Sequence, residues 1–231
     1  MECIILAGGM GTRLQSVVAD LPKCMAPVNG KPFLHYMFNY LEEQDCTKVI
    51  LSLGYKHEHV LEWLTTQKRS FSIDYVIEQK PLGTGGGVVL AMQKATGAYV
   101  IVLNGDTMFR VDLDKMFKFH NSKHASNTLA LKPMTDFERY GVVRLDEHDR
   151  ITAFEEKKHY AEGLINGGVY VLDRIGLLKK GLPEKFSLEQ DYFEQIVKEG
   201  IMFGYVSNEY FIDIGIPSDY DRAQQDLKNL Q

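Results

Sequence analysis

Five short segments of this 231-residue chain concentrate residue types suited to phosphate chemistry. The first is Leu6-Ala7-Gly8-Gly9-Met10-Gly11-Thr12-Arg13-Leu14. Glycines allow positive φ and let backbone N–H groups approach a phosphate closely. Arg13 adds a planar fork of donors that matches phosphate oxygens. The spacing lacks the Gly-Lys-Ser/Thr of a P-loop and is not the dinucleotide pattern GxGxxG. The competing reading is a plain strand-to-helix turn with a surface arginine. The second segment is Leu21-Pro22-Lys23-Cys24-Met25-Ala26-Pro27-Val28. Two prolines fix an extended backbone around one lysine, so its ammonium can be held in place at small entropic cost. An ordinary solvated loop lysine is the alternative.

The third segment, Glu78-Gln79-Lys80-Pro81-Leu82-Gly83-Thr84-Gly85-Gly86-Gly87, follows a strand pattern and opens a helix. Its glycines and Thr84 at a helix N-terminus suit close contact with a ligand. The fourth is Asn104-Gly105-Asp106, a carboxylate at the end of an apolar strand. The fifth is Phe211-Ile212-Asp213-Ile214-Gly215-Ile216-Pro217, where Asp213 lies in apolar surroundings that penalise an unpartnered charge. Two carboxylates plus nucleotide phosphates suit magnesium, which takes oxygen ligands and keeps several waters. Two helix-capping aspartates would look the same in sequence.

These loops need elements to carry them. The apolar run 3–7 stops at Gly8, and 48–53 stops at Gly54, as buried parallel strands do. Strands are also expected at 73–77 and 99–103, with helices at 59–64, 88–95 and 112–120. This alternation predicts a Rossmann-like α/β fold, a mixed, mostly parallel sheet flanked by helices, with ligands beyond the strand carboxyl ends. After residue 125 the pattern changes. Strands are expected at 128–132, 141–145, 151–154 and 169–172, joined by polar loops at 133–140 and 155–163. This predicts a small antiparallel extension. A helix at 188–198, strands at 202–206 and 210–214, and a last helix opened by Pro217 complete the chain.

Composition sets further limits. The 45% hydrophobic and 25% charged content suits one globular domain over 1–231, with about 1–125 and 126–231 as its halves. The net charge of -5 argues against a nucleic-acid partner. Cys3, Cys24 and Cys46 show no zinc spacing and suit a reducing compartment. The seven histidines likewise show no zinc pattern. The run 3–7 is too short for a leader or a membrane span, so a cytoplasmic protein with no membrane partner is expected. No hexapeptide repeat follows at the C-terminus, so no appended β-helix is expected.

GGMGTRL (8–14), LPKCMAPV (21–28), PLGTGG (81–86), NGD (104–106), FEEKK (154–158), INGGVYV (165–171) and FIDIGIP (211–217) stand together in this order. In that set the chain resembles the sugar nucleotidyltransferase family, over nearly its whole length. The resemblance implies an enzyme that joins a nucleoside monophosphate to a sugar 1-phosphate and releases pyrophosphate. It implies that Leu6, Ala7, Gly8, Gly9, Gly11, Thr12, Pro81, Gly83, Thr84 and Gly105 line the nucleotide site. Arg13 would neutralise the leaving pyrophosphate, Lys23 would lie near the α-phosphate, and Asp106 and Asp213 would hold Mg2+. Glu156 would bind sugar hydroxyls, Lys157 the sugar phosphate, and Gly141 and Asn166 would line the sugar pocket. Lys158 stands where the family usually has proline. Members are often oligomeric, so a homo-oligomer is compatible with the resemblance.

Glu78 bears on the base. One carboxylate can accept the adjacent N1–H and N2–H of guanine together, whereas it would repel the carbonyl oxygens of uracil. This predicts GTP. A Glu78 that faces solvent or caps the loop is the alternative. Short members with FEEK, NGGVY and Ser187-Leu188-Glu189-Gln190-Asp191 look most like guanylyltransferases for D-glycero-α-D-manno-heptose 1-phosphate. Mannose-1-phosphate guanylyltransferases and a uridylyltransferase are near neighbours. Inactive regulatory subunits of the family would be expected to lose Arg13, Lys23 or an aspartate, and this chain keeps them.

Overall fold

The first strand, β1 (Glu2–Ala7), has no polar face. Cys3 and Ile5 join one core cluster while Ile4 joins the other, so both faces of the strand are covered. That is why the run reads as continuously apolar. The computed structural model describes residues 1–9, 14, 18 and 20–229.

After a 3-10 turn at Lys23–Met25 come β2 (Pro27–Val28), β3 (Lys31–Pro32) and helix α1 (Phe33–Glu43). They are followed by β4 (Lys48–Leu53), α2 (His57–Leu64), β5 (Ser72–Ile77), α3 (Gly83–Met92), β6 (Tyr99–Asn104), β7 (Thr107–Phe109) and α4 (Leu113–Ser122). The second half holds β8 (Asn127–Phe137), β9 (Val142–Leu145), β10 (Ile151–Glu155), β11 (Tyr160–Asp173) and α5 (Arg174–Lys179). A π-helical turn (Leu188–Phe193) runs into α6 (Glu194–Ile196) and a 3-10 turn (Val197–Glu199). Then come β12 (Met202–Val206), β13 (Phe211–Asp213) and α7 (Pro217–Asp226).

Among the described residues one nine-stranded sheet runs in the order β10-β9-β11-β6-β1-β4-β5, with β8 joined to β11 and β12 to β8. β1, β4, β5 and β6 are mutually parallel, and β11 turns the sheet antiparallel at β6. The α/β expectation therefore holds, with the antiparallel part built on the same sheet. One face is covered by α1 and α4, the other by α3 and the π-helical turn. Phe33, Phe38, Phe109 and Phe193 are all fully buried there. Each such side chain contributes roughly 1.5–3 kcal/mol of burial.

Several boundaries differ from the expectation. Helix α1 has no counterpart in it, because Phe33, Leu34, Tyr36, Met37, Phe38, Tyr40 and Leu41 are all buried and leave little polar face to give a period. β8 runs through Pro133 into the segment expected as a loop. Pro133 is tolerated because β12 leaves β8 at Leu131, so beyond that point β8 pairs only with β11. β11 is much longer than 169–172 and leaves only 156–159 as a connection. The helix expected at 88–95 begins at Gly83. The helix expected at 188–198 is broken into three kinds of turn and stops at Gly200, with φ of 68°. No helix among the described residues is long and apolar enough to cross a membrane.

Candidate active site

The carboxyl ends of β1, β4, β5 and β6 open into a cleft of about 790 Å³. Leu6, Ala7, Gly8 and Gly9 line it from β1, Glu78 and Pro81 from the loop after β5, Gly83 and Thr84 from α3, and Gly105 and Asp106 from the turn after β6. Met10, Gly11, Thr12 and Arg13 lie outside the described residues. A larger groove of about 1030 Å³ lies on the flared antiparallel part, between residues such as Lys132, Arg139, Arg144 and Arg222. Arg139 is paired with Asp219 and Asp213, Arg222 with Asp219 and Asp226, and Arg144 with Glu155, so each of these arginines already has a carboxylate partner. Residues of the first four segments line the strand-end cleft.

Asp106 is set by the β6–β7 turn. The Gly105 N–H donates to Leu6 O at 2.9 Å, and a Cβ on Gly105 would lie only 2.5 Å from that oxygen. Glycine lets the turn cross directly over the end of β1, which is its use here. β7 then pairs antiparallel with β13, placing Thr107 opposite Asp213. That ladder brings the two aspartates together. Neither is a helix cap: α7 is preceded by Ile216, and Asp213 Oδ1 accepts instead from the Gly215 N–H at 2.8 Å.

Lys23 closes the group. Its side chain is only 11% exposed, its ammonium bonds Asp106, and it lies 3.9 Å from Asp213 Oδ1. A buried ammonium is tolerated when carboxylates surround it in this way. Burial pushes the Asp213 carboxyl above its ordinary range and the charge of Asp106 adds to this, while Lys23 and the Gly215 N–H work the other way. The Tyr140 hydroxyl donates to Asp213 Oδ2 at 3.3 Å, and Arg139 lies 3.6 Å from the same oxygen. Burial beside Asp106 pushes the Cys24 thiol up to about 12, so it stays protonated and is no nucleophile.

The glycines of the third segment have mixed uses. Cβ atoms on Gly85 and Gly86 would run into the Phe186 ring and the Glu184 carbonyl oxygen, and one on Gly83 would lie 2.5 Å from Phe186 O. Gly85 and Gly86 thus serve the packing of chain 184–188 onto α3, while Gly83 and Thr84 line the cleft. Thr84 Oγ1 accepts the Leu188 N–H at 2.9 Å and ties that chain to the cleft. Glu78 accepts from Ser52 Oγ at 3.1 Å on one oxygen and from the Leu82 N–H at 3.1 Å on the other. It therefore does hold its loop, as the alternative reading had it, while also lining the cleft.

The second half supplies the far wall. β11 changes register between Asn166 and Tyr170, and Gly168 there has φ of 73°. Such a bulge re-aims a side chain. Asn166 Nδ2 donates to Glu189 Oε1 at 2.8 Å and to Tyr170 Oη at 3.0 Å. Tyr170, Leu188 and Glu189 line the cleft. Burial pushes the Glu189 carboxyl up, and the charge of Lys157 opposes this. Glu156 and Lys157 are exposed on the β10–β11 connection, outside the cleft lining. A Cβ on Gly141 would clash with Glu155 O, so that glycine serves the β9–β10 pairing. Lys158 extends over the Tyr160 ring at 5.2 Å.

Glu189 and Tyr170 fall in segments that carry the resemblance, which assigns them no role, and sequence reasoning assigns none to Tyr55, His57 or Ser52 either. The capping pattern Ser187-x-x-Gln190, in which Ser187 Oγ accepts the Gln190 N–H at 3.2 Å, could have pointed to the turn carrying Glu189. Ser52 stands out only as a hydroxyl inside an aliphatic strand.

Comparison with known proteins shows the family. The family model described as nucleotidyl transferase matches residues 2–229. The chain is 52% identical over 229 residues to a D-glycero-alpha-D-manno-heptose 1-phosphate guanylyltransferase of Aneurinibacillus thermoaerophilus, covering 99% of each chain. It is 45% identical over 220 residues to a protein of the same name from Campylobacter jejuni subsp. jejuni, covering 95% of this chain and 97% of that one. The crystal structure of HddC from Yersinia pseudotuberculosis complexed with GMP-PN superposes with a TM-score of 0.89 at 36% identity, covering 98% of this chain and 99% of that one. The chain belongs to the nucleotidyl transferase family.

Proposed function

We propose that this chain transfers GMP from GTP to D-glycero-α-D-manno-heptose 1-phosphate, giving GDP-heptose and pyrophosphate. The observation that carries this is full-length identity of 52% and 45% to two guanylyltransferases for that sugar phosphate. The cleft supports it by joining a carboxylate suited to guanine, Glu78, with a partly buried charge cluster of Lys23, Asp106 and Asp213.

In this reading the chain is one domain whose sheet carries the nucleotide on residues 1–125 and the sugar on 126–231. Leu6, Ala7, Gly8, Gly9, Gly11, Thr12, Pro81, Gly83, Thr84 and Gly105 line the nucleotide. A sugar-phosphate oxygen attacks the α-phosphorus in line and pyrophosphate leaves. The nucleophile is already an anion, so no general base is needed. The barrier lies in bringing two anions together, and fixed opposing charge lowers it. Lys23 serves the α-phosphate, Arg13 the leaving pyrophosphate and Lys157 the sugar phosphate. Asn166, Gly141 and Glu156 belong to the sugar side, with Glu189 behind Asn166.

Asp106 and Asp213 would hold Mg2+. Their fit rests on the donor set: two neighbouring carboxylates already share one cation, the Lys23 ammonium. No three His, Cys, Asp or Glu side chains among the described residues converge on one point, so phosphate oxygens and water would complete the shell. When bound, the ion supplies positive charge to the phosphate oxygens. Three free buried thiols are in keeping with a cytoplasmic setting.

The test is pyrophosphate release with Mg2+, pairing GTP, UTP, dTTP, CTP and ATP with heptose 1-phosphate and mannose 1-phosphate. Release with GTP and heptose 1-phosphate alone is expected. A preference for UTP or dTTP would refute the Glu78 reading, and a preference for mannose 1-phosphate would refute the sugar assignment.

A further inference from the structure

Strand β4 reads Lys48-Val49-Ile50-Leu51-Ser52-Leu53, and Ser52 is fully buried among aliphatic neighbours. A hydroxyl is unfavourable there unless it is bonded. Its Oγ lies 3.1 Å from Glu78 Oε1 and 3.2 Å from the Gly87 carbonyl oxygen. The other Glu78 oxygen accepts the Leu82 N–H at 3.1 Å. Two glycines from different loops make room for the same carboxylate. A Cβ on Gly8 would lie 2.6 Å from Glu78 Oε1, and one on Gly87 would lie 2.9 Å from it and 3.0 Å from Ser52 Oγ. The carboxylate thus has one donor on each oxygen, with the single Ser52 proton shared with the Gly87 carbonyl oxygen, and two glycines close to Oε1. Each carboxylate oxygen can accept more than one hydrogen bond. Capacity therefore remains on both oxygens for a paired donor edge presented from the cleft.

We propose that Ser52 is a positioning residue for base selection: it fixes the Glu78 carboxylate, with Gly8 and Gly87 as walls, so that both oxygens face the N1–H and 2-amino donors of guanine. This rests on the reading of Glu78 as the guanine acceptor. A held carboxylate binds the base without first losing rotamer freedom, and it rejects a base that offers one donor where the site expects two. The role of Ser52 is indirect, because it is buried beneath Glu78 and does not line the cleft.

The experiment compares GTP with ITP, which lacks the 2-amino group, in the wild type, Ser52→Ala, Gly87→Ala and Glu78→Gln. Two readouts are taken: kcat and KM for each nucleotide, and calorimetric binding of GMP against IMP. The wild type is expected to favour the guanine nucleotide by about tenfold or more. Ser52→Ala should raise KM for GTP about five- to tenfold with kcat within about twofold, and shrink the GTP/ITP preference by a similar factor. Gly87→Ala, which keeps the Ser52 hydroxyl but crowds both it and the carboxylate from the helix side, should shrink it too. It keeps the test alive if Ser52→Ala fails to fold, and a thermal melt identifies that case. Preference lost in Glu78→Gln but retained in folded Ser52→Ala, or in Gly87→Ala where Ser52→Ala does not fold, would overturn the positioning role and leave the base reading standing. Preference retained in Glu78→Gln would overturn the base reading and the inference with it.

Discussion

The Lys23 ammonium bonds Asp106 and lies 3.9 Å from Asp213 Oδ1, so one largely buried cation serves two carboxylates that are far apart in sequence. Without it, Asp106 and the buried Asp213 would face each other with less opposing charge. If these aspartates hold the metal, ammonium and metal compete for the same oxygens.

Lys23→Met is therefore expected to have two opposed effects. Turnover should fall by about 100-fold or more, as expected for loss of a charge aimed at the reacting phosphate. In the absence of nucleotide, Mn2+ should bind more tightly than to the wild type, because the ammonium no longer occupies the carboxylates. Titration followed by electron paramagnetic resonance measures this. Weaker or unchanged Mn2+ affinity would show that lysine and metal do not share the site.

Glu189 should matter for the sugar and not for the nucleotide. Glu189 is exposed as a residue, but its carboxyl is crowded against Tyr170 and Asn166, desolvation there pushes it up, and it takes the Asn166 amide at 2.8 Å. Glu189→Ala removes one of the three bonds that hold Asn166, leaving those to Tyr170 and Gly168, and KM for the sugar 1-phosphate is expected to rise about tenfold while KM for GTP stays within about twofold. Equal effects on both would place Glu189 in general support of the fold.

Gly85→Ala tests the reason for the glycine run. The added methyl would enter the Phe186 ring, which is 4% exposed and anchors the chain leading to Leu188. Overpacking of this kind costs about 1–3 kcal/mol. Thermal unfolding should show a lower midpoint, and the midpoint should recover in Gly85→Ala/Phe186→Leu. An unchanged midpoint in the single variant would mean that the ring has space to move.

His120 should make stability depend on pH. It is buried between α4 and the sheet, its Nδ1 is 2.9 Å from Thr128 Oγ1, and burial lowers its pKa from the ordinary 6.5 to about 4. Between those values the unfolded chain holds a proton that the folded chain refuses, so folding weakens as pH falls. The contribution is complete above 6.5 and is lost by about 4, a difference of up to roughly 3 kcal/mol. Chemical denaturation of the wild type and His120→Phe across that range gives the measurement. Parallel slopes for the two proteins would refute it.

Much of the nucleotide half was legible because its signals are local. A strand ending in glycine, a lysine between prolines and a carboxylate after an apolar run each depend on a few adjacent residues. Helix α1 was not legible because it is buried almost all round and shows no period. The lengths of β8 and β11 were not legible because Pro133 and the polar residues near it read as loop until one knows that β12 stops at Leu131.

The sequence by itself determined the α/β order, the phosphate-type loops and the identity of Lys23, Asp106 and Asp213 as site candidates. Only the tertiary structure decided what those residues touch. The β7–β13 ladder sets Asp213 beside Asp106, the bulge in β11 turns Asn166 onto Glu189, and the packing of β4 under the loop after β5 gives Glu78 its hydroxyl. Backbone conformation follows from neighbours along the chain. Side-chain partners follow from sheet register between distant segments, which is fixed only when the whole core closes.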